Sequence, residues 1–254
     1  MRILNSLWIA LSTYSKLPVP HVDFSDDNRR WSMAFFPVVG LVIAGASLIW
    51  LAICDALALG EFLRGAVGCL IPLFISGGLH MDGFMDTMDA IASWQTRERR
   101  LEILKDSHVG AFAVIGCAGY LLFYAALLSR MTFGRVACVW AIGFVLSRAL
   151  SAILLLRLPS ARPGGMLDGF RASADAKNVQ RALVVCCAAC ALGALALHPV
   201  AGLLMLGACA LSAGAYRHMA LKKFGGTTGD LAGWFLQVCE LTCAIFAVAS
   251  GLIG

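Results

Sequence analysis

The chain has 254 residues, of which 60% are hydrophobic and only 14% are charged. Soluble domains carry about 25% charged residues, so this composition excludes an ordinary soluble protein. The net charge of +5 is spread singly or in small groups beside apolar runs, without interleaved aromatic residues, and it does not indicate a nucleic-acid partner. The composition predicts an all-α, polytopic membrane protein, with residues 1–254 forming one integral-membrane domain in the lipid bilayer. It leaves open whether the protein forms a homo-oligomer.

Seven apolar runs follow one another, each near the roughly 20 residues that a helix needs to cross a bilayer. They cover residues 34–55, 60–78, 109–129, 135–157, 182–198, 199–216 and 231–253. Before the first run, residues 1–12 could form an interfacial or re-entrant helix. Between the second and third runs, residues 90–108 mix acidic and basic side chains, which predicts a short amphipathic helix at the membrane surface.

Basic residues are distributed unevenly over the connections between these runs. Most of the 20 Lys and Arg residues fall on the connections that share a side with the N-terminus. Because cytoplasmic loops are enriched in Lys and Arg, the N-terminus is predicted to lie in the cytoplasm. The polar loop motifs described below fall on the same side, so the active site is predicted to face the cytoplasm.

Ten cysteines occur in the chain, nearly all of them within apolar runs. The group Cys186-Cys187-Ala188-Ala189-Cys190 superficially resembles a metal motif. A structural zinc site would need further ligands and polar surroundings, and neither follows this group. The cysteines are therefore predicted to be small packing residues, without a disulfide framework.

Asp82, Asp86 and Asp89 follow the second apolar run and form the strongest functional signal. Their i, i+4, i+7 spacing places them on one stripe of a helix, where they repel one another unless a cation neutralises them. Mg²⁺ prefers carboxylate oxygens, and Mg²⁺ held in this way commonly binds phosphates. Asp82 and Asp89 are about 10 Å apart along the helix axis, so two ions sharing Asp86 are favoured over one bridging ion. A solvated helix face is the alternative interpretation.

His80 lies beside this stripe and could act as a general base or as a hydrogen-bonded structural residue.

Before the last apolar run, the loop Phe224-Gly225-Gly226-Thr227-Thr228-Gly229-Asp230 is predicted to offer free N–H groups to a phosphate at a helix start. Asp230 would be either the N-cap or a further metal ligand. Lys222, just upstream, favours an anionic ligand.

Further polar motifs accompany other runs. Lys105 and Asp106 precede the third run, where a phosphate contact and simple helix capping are both open. Arg148 lies inside the fourth run, and a charge at membrane depth usually marks function. Its partner could be a phosphate, an acid of the stripe, or Glu240 in a structural ion pair. Arg162, in the next connection, could hold phosphate through two hydrogen bonds.

The run from Gly77 to Asp89 closely resembles the signature of the cobalamin (5′-phosphate) synthase family, also called adenosylcobinamide-GDP ribazoletransferases. The similarity continues in the same order along nearly the whole chain. It includes Leu17-Pro18-Val19-Pro20, Phe36-Pro37-Val38-Val39-Gly40, Lys105-Asp106-Ser107, Arg148, Ala161-Arg162-Pro163-Gly164 and Gly225-Gly226-Thr227-Thr228-Gly229-Asp230. Lys16 and Lys105 stand where the family pattern has Arg, so the positive charge is kept but a planar, bidentate contact is not.

The resemblance implies a Mg²⁺-dependent inner-membrane enzyme of cobalamin biosynthesis. Such an enzyme joins adenosylcobinamide-GDP to α-ribazole, or to α-ribazole 5′-phosphate, and releases GMP. We expect Asp82, Asp86 and Asp89 to hold Mg²⁺, with Asp230 completing the ligand set. We expect Asp82, Asp86 or His80 to accept the proton of the attacking hydroxyl. The predicted substrate-binding residues are Lys105, Asp106, Arg148, Arg162, Lys222, Gly225, Gly226 and Thr228.

Three other classes of protein remain open on the residues alone. A membrane prenyltransferase would normally show a second Asp-rich repeat late in the chain, where only Asp230 stands. An alcohol phosphotransferase would show an Asp-Gly-x-x-Ala-Arg pattern, which is missing after Asp82-Gly83. An ion-coupled transporter could use Arg148 and Glu240, but transporters often have repeated halves, and none is evident here.

Overall fold

The computed structural model describes residues 2–162, 164 and 166–251. Within these ranges the chain forms twelve α-helices, and the β-structure is an isolated bridge between Ser160 and Thr227. The helices are α1 (Arg2–Tyr14), α2 (Asp26–Arg29), α3 (Phe36–Ala56), α4 (Glu61–Ser76), α5 (Leu79–Ala92), α6 (Arg97–Ile103), α7 (Ala111–Ser129), α8 (Arg135–Arg157), α9 (Met166–Ser173), α10 (Ala176–Leu197), α11 (Pro199–Met219) and α12 (Gly229–Gly251). The all-α prediction is confirmed.

Six helices of the described ranges are long and apolar enough to cross a membrane, and a bent helix pair raises the number to seven. They are α3 with the turns before it, α7, α8, α10, α11 with the π-helical turn Ala220–Phe224, and α12. The bent pair is α4 and α5. The prediction of about seven spans is confirmed, and the chain is a multi-pass membrane protein.

The second predicted run, 60–78, differs from the others because the chain bends sharply at its end. α4 has 16 residues, and α5 leaves it at an angle of 97°. At about 1.5 Å per residue, α4 alone is about 24 Å long, which is short of a bilayer core. The bend falls at Gly77 and Gly78, whose φ angles are +63° and +78°. Because side chains disfavour this left-handed region, the two glycines allow the turn that sets α5 crosswise.

α8 is the central helix of the bundle and the most buried of the candidate spans. It packs against α3, α10, α11 and α12. Gly40 on α3 lies so close to the carbonyl of Phe144 on α8 that a side chain there would collide with it. α7 and α10 lie at the periphery, where large apolar side chains such as Leu122 and Leu192 are exposed. That exposure is expected where helices face lipid.

The two segments predicted outside the seven apolar runs have different boundaries in the structure. The N-terminal helix extends beyond residue 12, to Tyr14. The predicted surface helix over 90–108 is wrong in extent, because residues 90–92 end α5 and a separate α6 covers only Arg97–Ile103. Trp94 has a φ angle of +52°, which interrupts the helix, and Thr96 then caps α6 by accepting a hydrogen bond from the Arg99 N–H.

Buried polar and sulfur groups fill the interior of the bundle. Arg148 and Glu240 form an ion pair with Nη1 and Oε1 2.5 Å apart, and each side chain is only 1% exposed. The ten cysteines are free thiols. Cys209, Cys239 and Cys243 pack together between α11 and α12, with Sγ separations of 3.6 and 3.7 Å from Cys209. Cys186, Cys187 and Cys190 on α10 are half-buried and pack against the core.

Candidate active site

Glycines bring the acidic helix α5 into close contact with the start of α12. A Cβ atom added to Gly83 would lie 2.7 Å from the carbonyl oxygen of Asp230 and 2.8 Å from its Cα. A Cβ atom added to Gly233 would lie 2.8 Å from the carbonyl oxygen of His80. These contacts are possible only because both helices lack side chains there. As a result Asp82 and Asp230, which are far apart in sequence, stand on one site.

A cavity of about 640 Å³ opens beside this contact. Five of the predicted site residues line it: His80, Asp82, Arg162, Thr228 and Asp230. Much of the remaining wall is apolar, with Tyr14, Phe36, Leu155, Phe170 and Leu236 among its residues. The cavity therefore offers a cluster of charges at one wall and a large aromatic and aliphatic surface around it, as expected for a small-molecule site.

The electrostatics of the site centre on Asp86, which is half-buried one turn after Asp82. The carboxylates of Asp82, Asp89 and Asp230 repel a charge on Asp86, and the Arg162 guanidinium attracts it. Arg162 Nη1 lies 3.6 Å from Asp230 Oδ2, and its Nη2 donates to the Leu101 carbonyl at 2.7 Å. This excess of negative charge and its hard oxygen donors fit a divalent cation such as Mg²⁺.

Asp89 has a structural contact that its sequence spacing did not reveal. Its Oδ2 accepts a hydrogen bond from the Gly110 N–H at 2.7 Å, and its Oδ1 accepts one from the Ala113 N–H at 2.8 Å. Asp89 therefore caps α7 from a position more than twenty residues earlier in the chain. Each oxygen keeps a further lone pair, so its role as a metal ligand stays a prediction.

The predicted phosphate loop is largely occupied by structural contacts. The amide groups of Gly225 and Gly226 donate to carbonyls of the preceding helical turn, and the amide of Thr227 donates to Pro159 at 2.8 Å. A Cβ atom added to Gly226 would lie 2.5 Å from the Pro159 carbonyl oxygen. The expectation that Gly225 and Gly226 offer free N–H groups to phosphate is therefore wrong. They instead join the end of α11 to the connection after α8.

Helix capping at α12 is performed by Thr228. Its Oγ1 accepts a hydrogen bond from the Leu231 N–H at 3.2 Å, and it lies 3.4 Å from Asp230 Oδ2. Asp230 lies within the first helical turn. The N-cap alternative for Asp230 is thus wrong, and its carboxylate is directed to the cavity wall that it shares with Arg162. Thr228 also lines the cavity, so substrate contact by Thr228 stays a prediction.

His80 is 5% exposed and lies in the first turn of α5. Its ring packs 5.8 Å from the ring of Phe36, and among the described residues its Nδ1 has no hydrogen-bond partner. A buried ring nitrogen normally finds a partner, so this orphaned atom on a cavity wall is available to a ligand. Its assignment as general base stays a prediction.

The other predicted substrate-binding residues lie outside the cavity wall. Lys105, Asp106 and Lys222 are exposed. Asp106 Oδ1 accepts hydrogen bonds from the backbone and ring of His108, which lower the pKa of the Asp106 carboxyl below its usual value. These hydrogen bonds form a local turn and do not cap α7, so phosphate contact by Lys105, Asp106 and Lys222 stays a prediction.

Arg148 does not take part in the site described here. It is paired with Glu240 and also contacts the Phe144 carbonyl at 3.2 Å and Ser147 Oγ at 3.1 Å. The structure therefore favours the structural ion pair over the prediction that Arg148 binds phosphate. The two buried charges on which the transporter interpretation depended are thus accounted for by a structural ion pair.

Several residues of the cavity wall were not predicted. They are Thr13, Tyr14, Arg29, Ser160 and Phe170, contributed by α1, α2, α9 and the connection after α8. The Arg29 guanidinium lies 5.8 Å from the centre of the Phe170 ring. In the sequence, Arg29 is only one of the basic residues that predict the orientation in the membrane. The tertiary fold brings it to the cavity wall.

Comparison with known proteins identifies the family to which this chain belongs. The family model described as cobalamin-5-phosphate synthase matches residues 6–248. The adenosylcobinamide-GDP ribazoletransferase of Lachnoclostridium phytofermentans is 42% identical over 100% of this chain and 97% of its own length. The protein of the same name from Azorhizobium caulinodans is 32% identical over 94% of this chain and 94% of its own length. The one from Clostridium botulinum (strain Alaska E43) is 27% identical over 94% of this chain and 95% of its own length. No solved structure shows a significant match. The chain belongs to the cobalamin-5-phosphate synthase family.

Proposed function

We propose that the protein is an adenosylcobinamide-GDP ribazoletransferase of the bacterial inner membrane, with its active site facing the cytoplasm. It joins adenosylcobinamide-GDP to α-ribazole or α-ribazole 5′-phosphate and releases GMP. The observation that carries the proposal is that Asp82, Asp230 and Arg162 line one cavity, with the charge of Asp86 interacting with all three, in a chain whose residues 6–248 match this family. The excess of Lys and Arg on the connections at this end of the bundle supports the cytoplasmic assignment.

The reaction is a substitution at phosphorus. A ribose hydroxyl of the acceptor forms a bond to the phosphorus nearest the cobinamide, the bond from that phosphorus to the oxygen of GMP breaks, and the hydroxyl proton passes to a protein base. Asp82 and His80 face the cavity and are the candidates for that base, together with Asp86. Little covalent chemistry is demanded of the protein, so catalysis depends on positioning and charge.

The acidic residues fit Mg²⁺ as the companion of a diphosphate substrate. Asp82, Asp86 and Asp230 would hold it, and Asp89 would join them through its remaining lone pairs. Bound Mg²⁺ would neutralise the diphosphate and stabilise the attacking and leaving oxygens. Arg162 would bind phosphate oxygens, because its guanidinium already lies among the carboxylates. The apolar wall would hold the remainder of the substrates and exclude water from the transfer.

The test is GMP release by the detergent-purified protein supplied with adenosylcobinamide-GDP, α-ribazole 5′-phosphate and Mg²⁺. We expect release that requires all three, with a cobalamin product appearing in step. Asp86→Asn should abolish turnover while the protein stays folded. Glu61→Gln is the matched control, because Glu61, at the start of α4, is an exposed carboxylate that pairs with the exposed Arg130. Wild-type turnover by Asp86→Asn would contradict the assignment of Asp86.

Metal binding can be measured without turnover. Mn²⁺ is a spectroscopic substitute for Mg²⁺, and its electron paramagnetic resonance signal changes on binding. We expect the wild-type protein and Glu61→Gln to bind Mn²⁺, and Asp82→Asn and Asp86→Asn to bind it more weakly. Equal affinity in all four proteins would exclude these carboxylates as the metal site.

A further inference from the structure

We infer that a second cavity, beside Lys16, binds the phosphate monoester of the acceptor, and that Lys16 makes the protein prefer a phosphorylated acceptor. This inference rests on the proposed function. The second cavity has a volume of about 380 Å³ and is lined by polar and small residues. They are Ser12, Thr13, Ser15, Lys16, Ser76, Gly77, Gly78, Leu79 and Asp82.

The two cavities meet at Thr13, Leu79 and Asp82, which line both of them. A molecule extending from the larger cavity into the smaller one would therefore pass the Asp82 carboxylate. The acceptor is a ribonucleoside, in which the ribose stands between the aromatic base and the 5′ position. Its attacking hydroxyl must reach the charged wall of the site. Asp82 stands at the corresponding point between the two cavities.

The larger cavity suits the aromatic base of the acceptor. Tyr14 and Phe36 have ring centroids 4.3 Å apart, and the Phe170 ring centroid lies 6.3 Å from that of Tyr14. These three rings come from α1, α3 and α9, and all line the cavity. Flat aromatic ligands gain from contact with such rings through both burial and ring stacking.

The smaller cavity suits a phosphate. The Lys16 side chain lies against Gly77, so closely that a Cβ atom added to Gly77 would overlap its Cγ, Cδ and Cε atoms. It therefore stands over the start of α5, where the N-cap residue Gly78 has no side chain to satisfy the first N–H groups of the helix. A cation beside uncapped N–H groups favours an anion. The Asp82 carboxylate repels anions, so the phosphate is expected on the Lys16 side of this cavity.

An independent observation points to a ligand at the same helix start. His80, in the first turn of α5, is 5% exposed and lines the larger cavity, and its Nδ1 has no hydrogen-bond partner among the described residues. A ribose hydroxyl of an acceptor held at Asp82 would give this nitrogen the partner it lacks. Lys16, His80 and Asp82 would then contact the phosphate and ribose of one ligand.

The test compares two acceptors that differ only in the phosphate. We expect the wild-type protein to show a higher kcat/KM for α-ribazole 5′-phosphate than for α-ribazole. Lys16→Met keeps the apolar stem and removes the charge. A hydrogen bond to a charged group contributes about 1.5–3 kcal/mol, so kcat/KM for the phosphorylated acceptor should fall about 10- to 100-fold. The value for α-ribazole should change less than about twofold, which also shows that the variant is folded.

Two further variants sharpen the test. Lys16→Arg should retain most of the preference, because the charge remains. Lys177→Met is the matched control, since Lys177 lies at a separate surface site with Gln180 and Arg181, and should behave as wild type. Inorganic phosphate should compete with the phosphorylated acceptor in the wild type and less in Lys16→Met.

The outcomes separate the two proposals. If the wild-type protein released no GMP with either of the two acceptors, the proposed function itself would be contradicted. The assignment of Lys16 alone would be overturned if the wild-type protein showed no preference for the phosphorylated acceptor. It would also be overturned if Lys16→Met kept that preference or lost activity with both acceptors equally. Inhibition by inorganic phosphate that is unchanged in Lys16→Met would place the phosphate elsewhere.

Discussion

The contact between Gly83 and Asp230 makes a sharp prediction for Gly83→Ala. The added Cβ atom would lie 2.7 Å from the Asp230 carbonyl oxygen and 2.8 Å from its Cα. Non-bonded carbon atoms prefer separations of about 3.5–4.0 Å, so α5 and α12 must separate here by about 1 Å. A displacement of this size in a catalytic site can cost about 100-fold in rate. We therefore expect kcat/KM for GMP release to fall about 100-fold.

Stability should change far less than activity in this variant. Overpacking costs about 1–3 kcal/mol. Replacing a helical glycine by alanine returns about 1 kcal/mol through helix propensity. The net loss in the free energy of unfolding is then about 0–2 kcal/mol, visible as a small decrease in Tm.

Gly119→Ala on α7 is the matched control, because nothing lies within 4 Å of its added Cβ atom. It should keep wild-type kcat/KM and be at least as stable as the wild type. The assay is GMP release in detergent, with Tm measured on the same preparations. Wild-type kcat/KM in Gly83→Ala would refute the argument that this helix contact sets the geometry of the site.

Two further changes test the structural roles assigned above. Asp89→Ala removes both acceptors that cap α7 and should destabilise the protein by about 0.5–2 kcal/mol. Asp82→Ala, at an exposed position, should leave Tm unchanged. Equal Tm values for the two variants would contradict the capping role of Asp89. Glu240→Gln leaves Arg148 charged and buried and should lower the free energy of unfolding by about 3–5 kcal/mol. The double variant Arg148→Met with Glu240→Leu should lower it less than this single change. Thermal unfolding in detergent checks both, and a double variant less stable than Glu240→Gln would contradict the structural ion pair.

Local patterns in the sequence were sufficient for the elements and for the acidic stripe. Apolar runs predict spans because the bilayer demands length and hydropathy, and α8 begins and ends at the predicted residues. α10 begins at Ala176, earlier than predicted, because a helix continues into polar residues once Asp175 caps it through the Asn178 N–H. The stripe from Asp82 to Asp89 lies on one helix, as its periodicity indicates.

Contacts between distant residues were not accessible in the same way. The cap of α7 comes from Asp89, while the local sequence before that helix offers Asp106 and Ser107 as ordinary capping residues. Gly225 and Gly226 read as a phosphate loop, yet their amides are satisfied within the fold. In both cases the residue type was informative, but its partner was decided by tertiary packing, which a single sequence does not show.

The position of Asp230 near the end of the chain has a consequence for biosynthesis of the protein. The stripe on α5 is made early, but Asp230 lies on α12, which leaves the ribosome only after α1 to α11. Until α12 inserts, the carboxylates of α5 and the Arg162 guanidinium lack the part of the cavity wall that contains Asp230. A chain that stops before residue 229 should therefore insert most of its helices and still lack a complete site. Activity thus reports on the arrival of α12, and two fragments divided before α12 could restore it by assembling in the membrane.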